Sequence, residues 1–358
     1  MTDDWRAGLD EVDAALIDGY QSGVPVAECP FRAMAADLGV SGGAALDRVR
    51  RLRERGILRR FGPVLNPPVI GSSTLAALRV PEGRFDEVAA TVNGYRQVNH
   101  NYRRDHAWNM WFVVTAGSRA RRDAVLDGIA ERTGLDPLDL PMRTDYYIDL
   151  EFPVVNDDRF ARESGGGTAV EATSVDEAAR ADLTPLEADL LVAVQDGLPL
   201  SPTPYRDVAE SVDAPVDDVL AALDRLLATG CIKRLGCVVN HLVTGFDNNC
   251  MVVWDVPDDR VDERGRTVGA LPSVTLCYRR PRRPDRGWPY NLFTMIHGRE
   301  AAAVDDRIDD LATDYLPYDH ERLYSTGTLK QTGARYEELV AGGDDRADPG
   351  TGPAAATD

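Results

Sequence analysis

Two five-residue runs hold the side chains best suited to chemistry, His100-Asn101-Tyr102-Arg103-Arg104 and Leu276-Cys277-Tyr278-Arg279-Arg280. Guanidinium forks match carboxylates two bonds at a time, and aromatic faces stack on flat rings. Histidine and tyrosine are among the side chains that deliver protons in catalysis. Each run leads to an asparagine, Asn109 or Asn291, and the second copy carries six extra residues on the way. The insertion lies within "PRRPDRGWP", which brings Arg282, Arg283, Arg286 and Trp288 ahead of Tyr290. In a chain of net charge −19, these arginines reverse the sign locally. Two plainer alternatives stand beside that reading. The arginines could pair with surplus surface carboxylates, and His100 could be a hydrogen-bonded core residue. His106 lies at a hairpin turn, and His320 precedes the last strand.

The elements that position these runs occur twice. "LRRFGPVLNPPVIG" at 58–71 returns as "IKRLGCVVNHLVTG" at 232–245, with a constant offset of 174 from Leu9/Leu183 to Gly71/Gly245. A period this long means two domain-scale copies. In the first, Leu9, Val12, Leu16 and Ile17 form an apolar stripe, Met34, Ala35 and Leu38 begin a second, and Leu46, Val49, Leu52 and Ile57 mark a third near Gly56. Such spacing predicts three short helices, and with the apolar hairpin "GILRRFGPVLN" a winged helix-turn-helix. Strand and helix patterns then alternate as βαββαβ, a ferredoxin-like sandwich that leaves one sheet face for a partner or ligand. The fold class is α+β, a tandem winged-helix plus ferredoxin-like chain. Its expected parts are a winged helix at 1–60, a ferredoxin-like domain at 61–160 and a linker at 161–182. The second winged helix follows at 183–234, a second ferredoxin-like domain at 235–338, and a disordered tail at 339–358. Tyr146, Tyr147, Arg322 and Tyr324 fall on the last strands, where core or rim packing is expected.

Composition sets bounds. Hydrophobic residues make up 43% of the 358, enough for a core in each copy. The acidity argues against general affinity for nucleic acid or anionic membranes and suits a salt-adapted source, where Lys233 and Lys330 are the only lysines. Cys29, Cys231, Cys237, Cys250 and Cys277 form no CxxC pair and no zinc spacing, so reduced thiols in the cytoplasm are expected. No apolar stretch approaches membrane-spanning length.

Winged helix plus βαββαβ resembles the Lrp/AsnC architecture over nearly the whole of each copy. The motifs "RRFGPVLN", "HNYRRDHAWNMWF", "KRLGCVVNH", "CYRRP…WPYNLFTMIHG" and "LYSTGTLKQT" resemble the siroheme decarboxylases more closely. The first copy looks like the A-type subunit and the second like the B-type, fused as a pseudo-heterodimer that works alone or as a larger homo-oligomer. The resemblance implies loss of CO2 from the C12 and C18 acetates of siroheme, giving 12,18-didecarboxysiroheme for haem or haem d1. It implies His100, Tyr102, Tyr278 and His297 as catalytic candidates, although the second copy has Leu276 where the family often has histidine. Arg103, Arg104, Asn109, His241, Arg279, Arg280, Arg282, Arg283, Trp288, Tyr290 and Asn291 would bind substrate. His100, His241 or His297 could ligate the substrate's own iron, and no separate cofactor or protein-owned metal is implied. Two rivals remain. A transcriptional regulator would use Arg48, Arg50, Arg51, Arg53 and Arg55 on the third helix, a stripe the second copy lacks. A non-catalytic haem-binding protein would use the same arginines and histidines as the enzyme.

Overall fold

The computed structural model describes residues 4–148, 173–174, 181–240, 243–246, 248–333 and 335–340. The expected linker lies almost wholly, and the tail almost wholly, outside them. Two compact units emerge, and each contains parts of both copies.

The first unit holds both helical heads, residues 1–66 and 181–247 among others. In the first head the helices are Glu11–Gly19, Pro30–Leu38 and Gly42–Glu54, followed by strand β1 (Leu58–Leu65). The predicted stripes are their buried faces: Leu16 and Ile17, Met34 and Ala35, then Leu46, Val49 and Leu52. Asp10 caps the first helix in a reciprocal box with Asp13, and Thr184 does the same with Glu187 at Pro185–Ala193 in the second head. The second head continues with Pro204–Ser211, Val216–Ala228 and a strand at Ile232–Val239. The predicted wing hairpin is a single strand in each head. β1 pairs antiparallel with Ile232–Val239, placing Gly62 opposite Gly236. A Cβ on Gly236 would sit 2.0 Å from the Gln21 carbonyl oxygen, so only glycine fits there. Because the wings complete each other, the heads run to residues 66 and 247 rather than 60 and 234.

The second unit holds both ferredoxin-like halves. The first half contributes β2 (Ser72–Leu78), helix Phe85–Asn93, β3 (Val98–Arg104), β4 (Met110–Ala116), helix Arg119–Thr133, β5 (Leu138–Pro141) and β6 (Thr144–Ile148). After the two-residue strand β7 (Thr173–Ser174) and the second head's strand, β8, come β9 (Asn248–Trp254) and helix Val261–Gly269. β10 (Leu276–Arg279), β11 (Leu292–Gly298), helix Ala301–Asp310 and β12 (His320–Gln331) complete the half. The strand order is β5-β2-β4-β3-β12-β9-β11-β10-β6-β7. The halves exchange their last strands. β12 pairs with β9 through His320–Tyr324 and with β3 through Ser325–Gln331, while β6 pairs with β10. Each sheet packs one face on its own helices, around Phe112 and Ile129 in one half and Val252 and Ile308 in the other. A third core, including Trp111, Leu140, Trp288, Phe293 and Leu323, draws on strands of both halves. The face left open in the sequence reading is therefore covered by the other half. No helix among the described residues is long and apolar enough to cross a membrane.

Candidate functional site

Side chains alternate across a strand, so only one parity of the His-Asn-Tyr-Arg-Arg run can face the shared interior. A register irregularity between Val98 and His100 sets which. Asn101 and Arg103 turn to the helix side: Asn101 donates to Asn93 at 3.0 Å, and Arg103 lies 4.3 Å over the Phe85 ring. His100, Tyr102 and Arg104 take the other face. The His100 and Tyr102 rings are parallel within 10° at 6.1 Å, with the hydroxyl 3.5 Å from His100 Nδ1. Arg104 is buried and donates to the Leu323 carbonyl.

The second half repeats this with one change. Arg280 donates to the Leu140 carbonyl and lies 4.6 Å over the Tyr278 ring, which stacks on Phe293 at 5.8 Å. The two arginines thus each reach a leucine carbonyl of the opposite half. At the position of His100 stands Leu276.

Arg104 and Arg280 are the electrostatic anomaly of the unit. Neither forms an ion pair among the described residues, and the Nε of each is buried without a hydrogen-bond partner. Burial pulls both guanidinium pKa values below the ordinary arginine range, and the Tyr278 hydroxyl partly opposes this for both. Buried charges are costly unless paired, so the arrangement favours an anion between the halves.

The other expected binders have local employment. Arg103 pairs with Glu82 at 2.5 Å, and Arg279 with Asp262 at 3.4 Å, both on the helix side. Asn109 clasps the backbone N–H and carbonyl of Val80, and Asn291 clasps those of Val256. Their amides are therefore hairpin braces. Arg282 binds Asp255, Asp258 and two carbonyls of its own neighbourhood, and Arg283 donates to the Arg282 carbonyl at 3.2 Å. Arg286 pairs with Asp136 at 2.6 Å. Trp288 is fully buried against Trp111, Tyr290 and Phe293, a core residue rather than an open stacking platform. Burial and a bond to Glu321 push the Tyr290 pKa upward. His297 is buried, with Nδ1 2.7 Å from Thr275 Oγ1. His241 lies outside the described residues.

The sequence reading gave no role to one cluster. His106 Nδ1 accepts from the Trp108 N–H at 2.9 Å, and Nε2 lies 2.5 Å from Glu321. The partners are 215 positions apart and no motif links them, so only the strand exchange reveals the pair. A cleft of about 430 Å³ beside it is lined by Arg103, Arg104, His106 and Thr326 among others. A larger one, about 500 Å³, lies by Arg79, Trp108 and Arg286.

In the first head, the basic stripe is mostly spent internally. Arg48 and Arg51 pair with buried Asp13, Arg50 binds Asp47 and the Leu200 carbonyl, and Arg55 binds the carbonyls of Trp5 and Ala7. The second head has Arg225 on buried Glu187, the same pair at an offset of 174.

Comparison with known proteins agrees with this division. The model of the siroheme decarboxylase NirDL-like helix-turn-helix domain matches residues 13–59 and 187–232, and that of the AsnC-like ligand-binding domain matches 70–146 and 243–330. The siroheme decarboxylase NirDL subunit of Paracoccus denitrificans is 35% identical over 336 residues, 93% of this chain and 99% of the relative. The siroheme decarboxylase NirD subunit of Pseudomonas aeruginosa is 51% identical over 146 residues, 41% of this chain and 97% of the relative. A crystal structure of siroheme decarboxylase NirDL with an iron-uroporphyrin III analogue superposes with a TM-score of 0.68 at 26% identity, covering 92% of this chain and 96% of that one.

Proposed function

The chain belongs to the siroheme decarboxylase family, and from that membership and the site's geometry we propose that it removes CO2 from the C12 and C18 acetates of siroheme. The product is 12,18-didecarboxysiroheme. The observation that carries this reading is the pair Arg104, buried, and Arg280, half-buried, each with a buried Nε lacking a hydrogen-bond partner and neither in an ion pair among the described residues of an acidic chain. Siroheme is a flat ring edged with carboxylates, and two such forks would hold one edge of it.

The chemistry needs a proton and no oxidant. Protonation of the conjugated pyrrole makes it an electron sink. The bond between the acetate methylene and its carboxylate then breaks, and its electron pair enters the ring as CO2 leaves. The exocyclic methylene takes a proton to become methyl and the first proton departs, so each cycle consumes one proton. The acetates at C2 and C7 sit on saturated carbons without that conjugated path, which explains why two of the four would leave. His100 is assigned as the acid, with Tyr102 beside it, Arg104 and Arg280 as carboxylate holders, and the iron as the substrate's own. All five cysteines are free thiols, which suits a reducing compartment, and we place the reaction in the cytoplasm.

Anaerobic incubation with siroheme and mass analysis of the tetrapyrrole tests the proposal. A species lighter by two CO2 is expected. Tight binding with an unchanged mass would leave a carrier, and salt-sensitive binding of a specific DNA duplex would restore the regulator.

A further inference from the structure

We propose that both decarboxylations occur at one centre, in the first half, and that the macrocycle is turned over between them. This rests on the siroheme reading above. The two halves are built alike around the arginines but not around the acid. In the first half, His100 and Tyr102 lie half-buried side by side, in line with Arg104 on the same strand face. In the second, the His100 position holds Leu276. Tyr278 is closed in by Phe293, and Trp288 fills the interior next to it. His297 does not replace the missing group. It lies on β11 opposite Asn249, where the first half has Thr115 opposite Ser73. Its ring is held by Thr275, and its carbonyl takes the Arg307 guanidinium at 3.0 Å. Among the described residues, the second half thus supplies Arg280 and packing but no acid equivalent to His100.

One acid can still serve two acetates because of the substrate's shape. A half-turn about the in-plane axis through meso carbons C5 and C15 exchanges C12 with C18 and C13 with C17. The edge formed by rings C and D carries acetate, propionate, propionate, acetate, and it reads the same from either face. Two arginines that grip this edge would accept the ring in both orientations, each time placing one acetate beside His100. The singly decarboxylated ring must leave, turn and bind again, so it would appear in solution.

The test uses that intermediate, isolated from a wild-type reaction quenched early, and the full-length His100→Ala protein. Circular dichroism and siroheme binding confirm the variant's fold, with His100→Gln in reserve. The single-centre proposal expects His100→Ala to slow CO2 loss from siroheme and from the intermediate alike, by about 100-fold or more. It also expects excess unlabelled siroheme, added during a wild-type reaction on labelled siroheme, to trap labelled intermediate. Consumption of the intermediate by His100→Ala at the wild-type rate would establish a second centre and overturn the proposal, as would failure to trap label. If the wild-type protein removes no CO2, the decarboxylase reading itself fails.

Discussion

Arg104 and Arg280 differ from the neighbouring arginines in what they touch. Replacing either with methionine removes a charge-assisted contact, roughly 1.5–3 kcal/mol, and should weaken siroheme binding about 10- to 100-fold in a spectral titration. Arg103→Met and Arg279→Met lose half-exposed surface pairs and should change binding by less than about threefold. Equal losses at all four positions would contradict the assignment. The sequence shows that His100, Tyr102 and Arg104 share a strand face, but Arg103 follows Tyr102 just as Arg104 follows Arg103. Both parities carry an arginine in both copies, so pattern alone cannot choose between them. The irregularity at Val98–His100 and the Phe85 ring choose, and neither has a sequence signature.

The helices were legible because each buries a continuous apolar stripe and two begin with capping boxes. The strand partners were not. A wing whose partner strand lies in the other copy looks, in one copy, like half a hairpin. Gly236→Ala tests that pairing. Its methyl would overlap the Gln21 carbonyl, and the wing ladder should lose about 3 kcal/mol in denaturant unfolding. The helix-to-helix ion pairs predict acid sensitivity. Hydrogen bonds from Arg48 lower the Asp10 pKa to about 2. Burial tends to raise the Glu187 pKa, yet bonds from Arg225 and the Thr184 cap outweigh it and the net shift is downward. Carboxyls with depressed folded pKa values contribute fully above their unfolded values, near pH 4, and lose that contribution as pH falls toward 2. The unfolding temperature should therefore hold from about pH 7 to 5 and drop below about pH 4. In Arg225→Met, Glu187 would stay buried with only the Thr184 cap as partner, so the unfolding temperature at pH 7 should fall and the acid decline should become shallower. An unchanged acid profile in that variant would remove the pair from the explanation.

The chain is two subunits written in sequence, and each half completes the other's sheet. The repeat was readable from the 174-residue offset, and both domain types from the apolar spacing and the alternation of strand and helix patterns. The exchange of β6 and β12 was not, because β12 is one strand where the first half breaks between Pro141 and Thr144. Produced as two polypeptides, 1–160 and 183–358, the halves should co-purify and regain activity, whereas either alone should be inactive and poorly folded. The most direct test of the whole account is siroheme carrying carbon-13 in its acetate carboxyls, incubated anaerobically with the intact chain while labelled CO2 and the residual ring label are measured together. Two labelled CO2 per siroheme, with label lost at C12 and C18 and kept at C2 and C7, is the predicted result. Bound siroheme that releases no labelled CO2, or releases it from C2 or C7, would contradict it.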